Sequence, residues 1–140
     1  IGPGIEAGSL CRTPVAGYDF LPTFHALAGG KQNQLTSEVD GVNIQGLFSE
    51  ETMVDFSRPQ RALFFHRPRR SFSAIRQGDF KLMLYWKKDG SVDRHELYKV
   101  YPDPTELGNE ITDEHPGLGE AMRDRLLAHL FLVNAERKTP

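Results

Sequence analysis

"FSAIRQGDFKLMLYW", residues 72–86, is the stretch that decides the fold of this 140-residue chain. In the run FSAIR, Phe72, Ala74 and Arg76 alternate with Ser73 and Ile75. Gln77-Gly78-Asp79 interrupts this run, and the longer apolar run FKLMLYW follows. Gly and Asp accept the backbone conformations of tight turns, and runs that alternate every second residue are typical of strands. The stretch therefore predicts a β-hairpin.

Two further strands extend this hairpin. RALFFH (61–66) precedes it and HELYKV (95–100) follows it, with breaks at Pro68 and at Lys88-Asp89-Gly90-Ser91. Breaks of this length join antiparallel neighbours, so the sequence predicts a meander of four antiparallel strands. After YPDP the apolar residues recur every three or four positions, which predicts a long carboxyl-terminal helix that covers one face of the sheet. They are Leu118, Met122, Leu126, Leu130 and Val133. The fold class is therefore α+β.

The amino-terminal part has a different pattern. Asp19 can serve as an N-cap, Pro22 is tolerated in a first helical turn, and Gly29-Gly30 ends the segment, so a helix is predicted over about 20–28. Its expected apolar face consists of Leu21, Phe24, Leu27 and Ala28. A polar loop, 31–41, and a short apolar anchor with one helical turn at 46–49 follow. We divide the chain into segments 1–57 and 58–140.

The composition excludes several classes of protein. Charged residues at 26% and hydrophobic residues at 39% indicate a folded globular chain, and a net charge of -2 leaves electrostatic binding to local clusters. A single cysteine, Cys11, excludes a disulfide scaffold and leaves the compartment open, so a periplasmic or secreted parent is compatible with it. No apolar run approaches the roughly 20 residues that span a bilayer. The start at Ile1 rather than Met predicts a fragment, and the parent's targeting segment then stays unknown.

A search for catalytic motifs gives mainly negative results. The sequence has no phosphate-binding Gly-rich loop, no metal-ligand spacing and no Gly-x-Ser-x-Gly elbow. The five histidines are scattered, and His25 and His129 lie beside apolar helical residues, which indicates structural roles. Cys11 has only Arg12 nearby to activate its thiol, so we interpret it as a buried or bystander thiol rather than a nucleophile.

One cluster is strongly basic. Six arginines and His66 lie between residues 58 and 76 with no acidic residue among them. Guanidinium groups match sulfate, phosphate or carboxylate, so the loop HRPRR could hold an anion, and a solvated strand end is the alternative. Nucleic-acid binding would use the same arginines with exposed aromatic residues, but Phe64, Phe65 and Phe72 are better explained as core residues.

Several segments, in order, resemble the sulfatase family. They are TPVAGYDFLPTFHALAGGK, DGVNIQGLF, LFFHRP, AIRQGDFKLMLYW, ELYKVYPDPTELGNE and the HPGL helix. The resemblance covers about residues 3–135 and implies the carboxyl-terminal region of an arylsulfatase-like enzyme. Segment 1–57 would then be the end of the large alkaline-phosphatase-like α/β domain, and 58–140 the small antiparallel subdomain. It also implies that Gly78-Asp79 makes the hairpin turn, that Ile75 and Leu82 face the core, and that Asp103-Pro104 begins the turn into the last helix.

The departures from the family pattern limit what this chain can do. The family's formylglycine nucleophile arises from Cys or Ser in Cys/Ser-x-Pro/Ala-x-Arg, whereas Cys11 is followed by Thr13 and Val15 at the places of the Pro and the Arg. The resemblance places the nucleophile and the ligands of the family's usual calcium upstream of this stretch. No catalytic or metal residue is therefore predicted here, and calcium and formylglycine are expected in the parent enzyme only. The chain alone is predicted to be inactive.

The role that the resemblance implies for this chain is to complete the fold of the parent enzyme and to line one wall of its substrate cleft. His66, Arg67 and Arg69 are the predicted substrate-binding residues, because the loop after LFFH leaves the sheet edge. The expected partners are the rest of the sulfatase chain and, for the parent, a sulfated small molecule or sugar, with neither nucleic acid nor membrane. The alternatives are a phosphodiesterase or phosphonate hydrolase of the same superfamily and a stand-alone anion-binding module.

Overall fold

The computed structural model describes residues 5, 7–36, 39–49, 62–102, 105–106 and 110–136. The chain forms two compact units, Ile1–Pro59 and Gln60–Pro140. The predicted boundary between residues 57 and 58 falls outside the described residues and remains a prediction. The same holds for the expected turn at Asp103-Pro104.

The second unit contains the predicted four-stranded antiparallel sheet. Its strands follow one another in sheet order, and they are β1 (Leu63–Arg67), β2 (Phe72–Gln77), β3 (Phe80–Trp86) and β4 (Val92–Lys99). β4 begins three residues earlier than predicted, because Val92 pairs with Trp86 across an irregularity in the register. The hairpin turn lies at Gly78-Asp79 as expected, and Gly78 has a φ of 54° there, which glycine adopts without steric cost.

One face of the sheet is covered by the carboxyl-terminal helix. This helix, α2, spans Pro116–Leu132. Met122, Leu126 and Leu130 are each at most 2% exposed and pack against buried residues of the central strands, among them Ile75 and Leu82. The predicted stripe is therefore confirmed over these turns, and the fold class is α+β. Val133, predicted as its last member, is 53% exposed because the helix ends at Leu132.

His129 has the structural position that its apolar neighbours indicated. Its ring stacks on Phe64 of β1 with the ring centroids 3.9 Å apart and the planes 10° from parallel. This contact joins α2 to the edge strand. In the part of the chain that the structure describes, neither helix is long and apolar enough to cross a membrane.

The first unit is organised around a short helix, α1 (Phe20–Leu27), close to the predicted 20–28. Asp19 precedes it, but its carboxylate does not cap α1. The carboxylate instead accepts hydrogen bonds from the backbone N–H of Ala16 at 2.7 Å and of Val42 at 3.1 Å. Thr23 accepts from the backbone N–H of Ile44 at 3.0 Å. These hydrogen bonds from backbone N–H groups of the anchor segment to Asp19 and Thr23 hold it against the polar side of α1. The helical turn of the anchor is Gln45–Leu47.

The expected apolar face of α1 is exposed within the described residues. Leu21, Phe24 and Leu27 are 59%, 62% and 51% exposed, and the preceding Phe20 is 49% exposed. The rings of Phe20 and Phe24 stack on each other at 5.7 Å. The apolar face that the sequence indicates is present, but it is not the buried side of α1 in this chain. The buried residues are Pro22 and Thr23, because Asp19 and Thr23 bond to the backbone of the anchor segment.

Candidate functional site

The predicted arginines lie at the turn between β1 and β2. Arg67 ends β1, and Pro68–Arg70 forms a single 3-10 turn. Ser71 then closes the turn in the left-handed conformation, with a φ of 52°. Arg67, Arg69 and Arg70 are exposed, and within the described residues none of the three forms an ion pair. The turn therefore presents guanidinium groups whose donors are open to an anion.

His66 belongs to a different environment from the arginines. Nε2 of His66 lies 2.5 Å from the carbonyl oxygen of Glu136, and Nδ1 lies 2.8 Å from Oγ of Ser73. A carbonyl only accepts, so Nε2 carries the proton, and in the neutral ring Nδ1 accepts from the Ser73 hydroxyl. Ser73 in turn accepts from Nε1–H of Trp86 at 2.9 Å. This hydrogen-bonded chain joins three strand residues to the carboxyl-terminal segment.

The three predicted substrate-binding residues do not share one face. His66 pairs with Ser73, and directly paired residues of antiparallel strands lie on the same face of the sheet, so His66 is on the helix-covered face. Arg67 is on the opposite face, beside Phe72, with its Cζ 5.8 Å from the ring centroid. Arg69 lies in the turn itself. Their role in substrate binding stays a prediction, and the geometry favours the two arginines over His66.

A second hairpin turn adds two cations that the sequence analysis did not single out. Lys87 and Lys88 are exposed and begin the turn between β3 and β4. A hydrogen bond of 2.9 Å from the backbone N–H of Trp86 to the carbonyl of Ser71 joins the two turns. We call Arg67, Arg69, Arg70, Lys87 and Lys88 the basic end of the sheet. The predicted meander already implied that these two turns are neighbours, because the first and third turns of a four-stranded meander lie at the same end of the sheet.

The outer face of the sheet carries a closed polar network around Glu96. Its Oε2 accepts from the hydroxyls of Tyr85 at 2.8 Å and Tyr98 at 2.7 Å, and its Oε1 accepts from Nε of Arg94 at 2.9 Å. Cζ of Arg94 lies 3.9 Å from the centroid of the Tyr85 ring. This network was not foreseen, because its members come from two strands and only the register brings them together.

Protonation in this network is set by burial and by the shared carboxylate. Burial alone would raise the pKa of Glu96, but hydrogen bonds from the two tyrosines and from Arg94 hold this pKa below its ordinary range. Burial, and then the hydrogen bond to Glu96, raise the pKa of Tyr98 and of Tyr85. Near neutral pH the arrangement is therefore two neutral phenols and a guanidinium around an ionised carboxylate. These groups satisfy one another and leave no acid–base pair for catalysis.

The described residues offer no metal site of their own. They include no group of three or more His, Cys, Asp or Glu side chains that could hold a metal ion. Cys11 is a free, exposed thiol. These residues do not fit the calcium and formylglycine that the resemblance implies for the parent, and the expectation that both belong elsewhere remains a prediction.

Comparison with known proteins gives a likeness at the level of the fold. No family model matches the sequence, and no curated protein matches it. Among solved structures, the chain is similar to a sulfatase from Bacteroides thetaiotaomicron, described with the metabolism of multiple glycosaminoglycans, at 24% identity and a TM-score of 0.54. The likeness covers 74% of this chain and 24% of that protein. The chain thus has a sulfatase-like fold and spans about a quarter of the length of the sulfatase that it resembles.

Proposed function

We propose that this chain is the carboxyl-terminal part of a sulfatase, a hydrolase of sulfuric esters, and that it completes the enzyme's fold and lines its substrate cleft. The observation that carries the proposal is the extent of the structural likeness, which covers 74% of this chain but only 24% of the solved sulfatase. A piece of an enzyme with that share of its length would lack most of the catalytic groups. The sequence segments quoted above support the same assignment independently.

The exposed face of α1 supports the idea that other parts of a larger protein pack here. Four large apolar side chains of one short helix, Phe20, Leu21, Phe24 and Leu27, are each about half exposed or more. Burying such a side chain stabilises a protein by about 1.5–3 kcal/mol, so a full set left in water indicates an interface. In the proposal, the covering residues belong to the large domain of the parent sulfatase.

In this proposal, the groups that hydrolyse the sulfate ester belong to the rest of the parent sulfatase. A sulfatase polarises the sulfuryl group with a metal and with cationic side chains while an activated hydroxyl attacks the sulfur. In the proposal the formylglycine and the calcium ligands lie upstream, and the 140-residue chain alone is inactive. Its own contribution would be made by Arg67 and Arg69, whose exposed guanidinium groups suit an anionic part of the substrate outside the sulfate pocket.

The test begins with the coding sequence upstream of Ile1. The proposal expects a Cys/Ser-x-Pro/Ala-x-Arg motif there, together with Asp and Asn residues that can bind calcium. The full-length protein, produced with formylglycine-forming machinery, should hydrolyse an aryl sulfate, and replacement of the motif's Cys or Ser by Ala should abolish this activity. A full-length protein that carries the motif and is modified, yet hydrolyses no sulfate ester, would overturn the proposal.

A phosphodiesterase or phosphonate hydrolase of the same superfamily is the second candidate, because the fold alone does not separate the two chemistries. A Thr in place of the Cys or Ser of the motif, and cleavage of a phosphate diester in preference to an aryl sulfate, would favour it. A stand-alone anion-binding module is the third candidate, supported by the exposed arginines of the β1–β2 turn. An upstream sequence without any hydrolase motif would favour that reading.

A further inference from the structure

The basic end of the sheet is a concentration of positive charge in a chain that is slightly acidic as a whole. The two turns contribute five exposed cations, whereas the whole chain has a net charge of -2. Within the described residues none of the five forms an ion pair. Nearby Arg94 differs, because Glu96 and Asp93 bind its guanidinium at 2.9 and 3.2 Å. The local acid Asp89 accepts hydrogen bonds from the backbone N–H and the hydroxyl of Ser91, and it also attracts Lys87 electrostatically.

The spacing of the two turns selects the kind of anion. The β1–β2 and β3–β4 turns are separated by two strand spacings, about 10 Å across the sheet. Arg70 and Lys87 adjoin the hydrogen-bonded pair Ser71 and Trp86, so a single sulfate can contact both of them, whereas Arg67 ends β1, two strand spacings from β3. A ligand that engages the whole basic end at once must therefore carry several anionic groups spread over about this distance, as a polymer does.

Two of the aromatic residues beside the basic end, Phe72 and Tyr85, are not placed as a binding surface for nucleic acid. Binding of single strands relies on exposed aromatic rings on which bases stack. Phe72 and Tyr85 pair directly across β2 and β3 next to the turns. The guanidinium of Arg67 lies over the Phe72 ring at 5.8 Å, and that of Arg94 lies over the Tyr85 ring at 3.9 Å. Arginines thus lie over these two rings, whereas Phe65 on β1 is 46% exposed, and poly-dT is therefore included as a probe below.

We propose that the basic end, Arg67, Arg69, Arg70, Lys87 and Lys88, binds a linear sulfated glycan through several of its sulfate groups at once. The choice of a sulfated glycan among polyanions rests on the proposed function. The site lies outside the sulfate pocket and includes a second hairpin that sequence reasoning did not connect with the first. It would hold a polymeric substrate on the enzyme while one of its sulfate esters reacts.

The proposal can be tested on the 140-residue chain without hydrolysis. Binding to heparin, to fully desulfated heparin and to poly-dT of equal charge is measured by fluorescence titration at low and moderate salt. We expect binding to heparin that weakens steeply as salt increases, and weaker binding to the other two probes. K87Q/K88Q and R69Q/R70Q should each weaken heparin binding about fivefold or more.

A matched control removes the same charge elsewhere in the second unit. K99Q/R123Q lowers the net charge equally, with Lys99 at the far end of β4 and Arg123 on α2, and should change heparin binding less than about twofold. Circular dichroism verifies that each variant is folded. Equal losses in all three double variants, tighter binding to poly-dT than to heparin, or no heparin binding by the folded chain would each overturn the proposal. A parent without sulfatase activity would instead overturn the proposed function and leave the binding result in place.

Discussion

At the scale of single residues, Ser73 is the polar group on which the sheet depends most. Its side chain has no exposed surface, and its hydroxyl joins Nε1–H of buried Trp86 to His66. Ser73→Ala leaves the Trp86 N–H without an acceptor in the core. We expect the free energy of unfolding to fall by about 1–3 kcal/mol. Urea unfolding followed by the fluorescence of Trp86, the chain's single tryptophan, measures this loss.

The matched control is Ser91→Ala. Its hydroxyl also donates a hydrogen bond, to Asp89 at 2.6 Å, but it lies in an exposed turn where water can replace the partner. We expect a change within about 0.5 kcal/mol. Equal losses for the two variants would contradict the role given to Ser73.

The second residue-level prediction concerns the contribution of Arg67 and Arg69 to substrate binding. In the full-length parent, R67A/R69A should raise KM by about tenfold for a substrate with an anionic group besides the reacting sulfate ester, and leave KM nearly unchanged for a small aryl sulfate with no further charge, because exposed ion pairs act on substrate binding outside the sulfate pocket. Steady-state kinetics with both substrates checks this, and Lys99→Ala serves as the control. An equal rise for both substrates would remove the arginines from the substrate site.

His66 marks the limit of residue-level prediction. Its proximity to the arginines in sequence indicated a shared site, but strand alternation places it on the other face from Arg67. Besides Ser73, its partner is the backbone carbonyl of Glu136, 70 residues away. Because every residue carries a carbonyl, no pattern of side chains could have predicted this contact.

At the scale of elements, the Glu96 network between β3 and β4 makes stability depend on pH. The pKa of Glu96 is lower in the folded chain than its ordinary value of about 4.3. Its stabilisation is therefore present above that value and is lost as the pH falls through the lower, folded-state pKa. Glu96→Gln should reduce the fall in unfolding free energy between about pH 5 and pH 3, and Tyr98→Phe, which removes one donor, should reduce it partly.

Urea unfolding from pH 3 to pH 7 provides the measurement. Glu120→Gln, which changes an exposed carboxylate on α2 in the same way, should keep the pH profile of the unaltered chain. A Glu96→Gln profile that coincides with the unaltered one would show that the network does not stabilise the sheet.

The docking of α2 on the sheet is the other element-level interaction. Leu126 has no exposed surface and is part of the core, whereas Leu132 on the same helix is 79% exposed. Leu126→Ala leaves a cavity and should lower the free energy of unfolding by about 2–5 kcal/mol. Leu132→Ala should change it by no more than about 0.5 kcal/mol. Denaturant unfolding of both variants measures the difference, and similar losses would contradict this helix orientation.

The elements of the second unit could be predicted from sequence because the apolar side of each one is buried against other elements of the same unit. The strands β1 to β3 and the stripe of α2 follow periods of two and of three to four, and their apolar sides meet each other in one core. The start of β4 could not be predicted in this way, because DRHE carries no apolar alternation. Val92–Lys99 is set by pairing with β3 rather than by its own residues.

At the scale of the whole molecule, periodicity predicted the helix α1 but not its buried side. An apolar stripe shows that a helix needs a partner, but it does not show whether that partner is in the same chain. In the first unit the polar residues Asp19 and Thr23 are 0% and 1% exposed, and the stripe is left open. The basic end of the sheet was missed for a related reason, since it is assembled from two turns by the topology of the sheet.

This open stripe leads to a prediction that separates a piece of an enzyme from a self-sufficient module. Leu21 and Phe24 are 59% and 62% exposed, so L21S/F24S removes little packing from the 140-residue chain. We expect the free energy of unfolding of this chain to change by no more than about 0.5 kcal/mol per site, and its self-association at high concentration to decrease. In the full-length parent the same pair should be buried, and its loss should cost about 2–5 kcal/mol per site.

Denaturant unfolding and light scattering of the chain, and thermal unfolding of the parent, measure the two halves of this contrast. Thr23→Val is the control on the opposite side of α1. It removes the hydroxyl that accepts from Ile44 at 3.0 Å and should destabilise the chain and the parent alike. If L21S/F24S leaves the thermal stability of the parent unchanged, then nothing in the parent covers α1. The exposed stripe would then no longer support the assignment of this chain to a larger sulfatase.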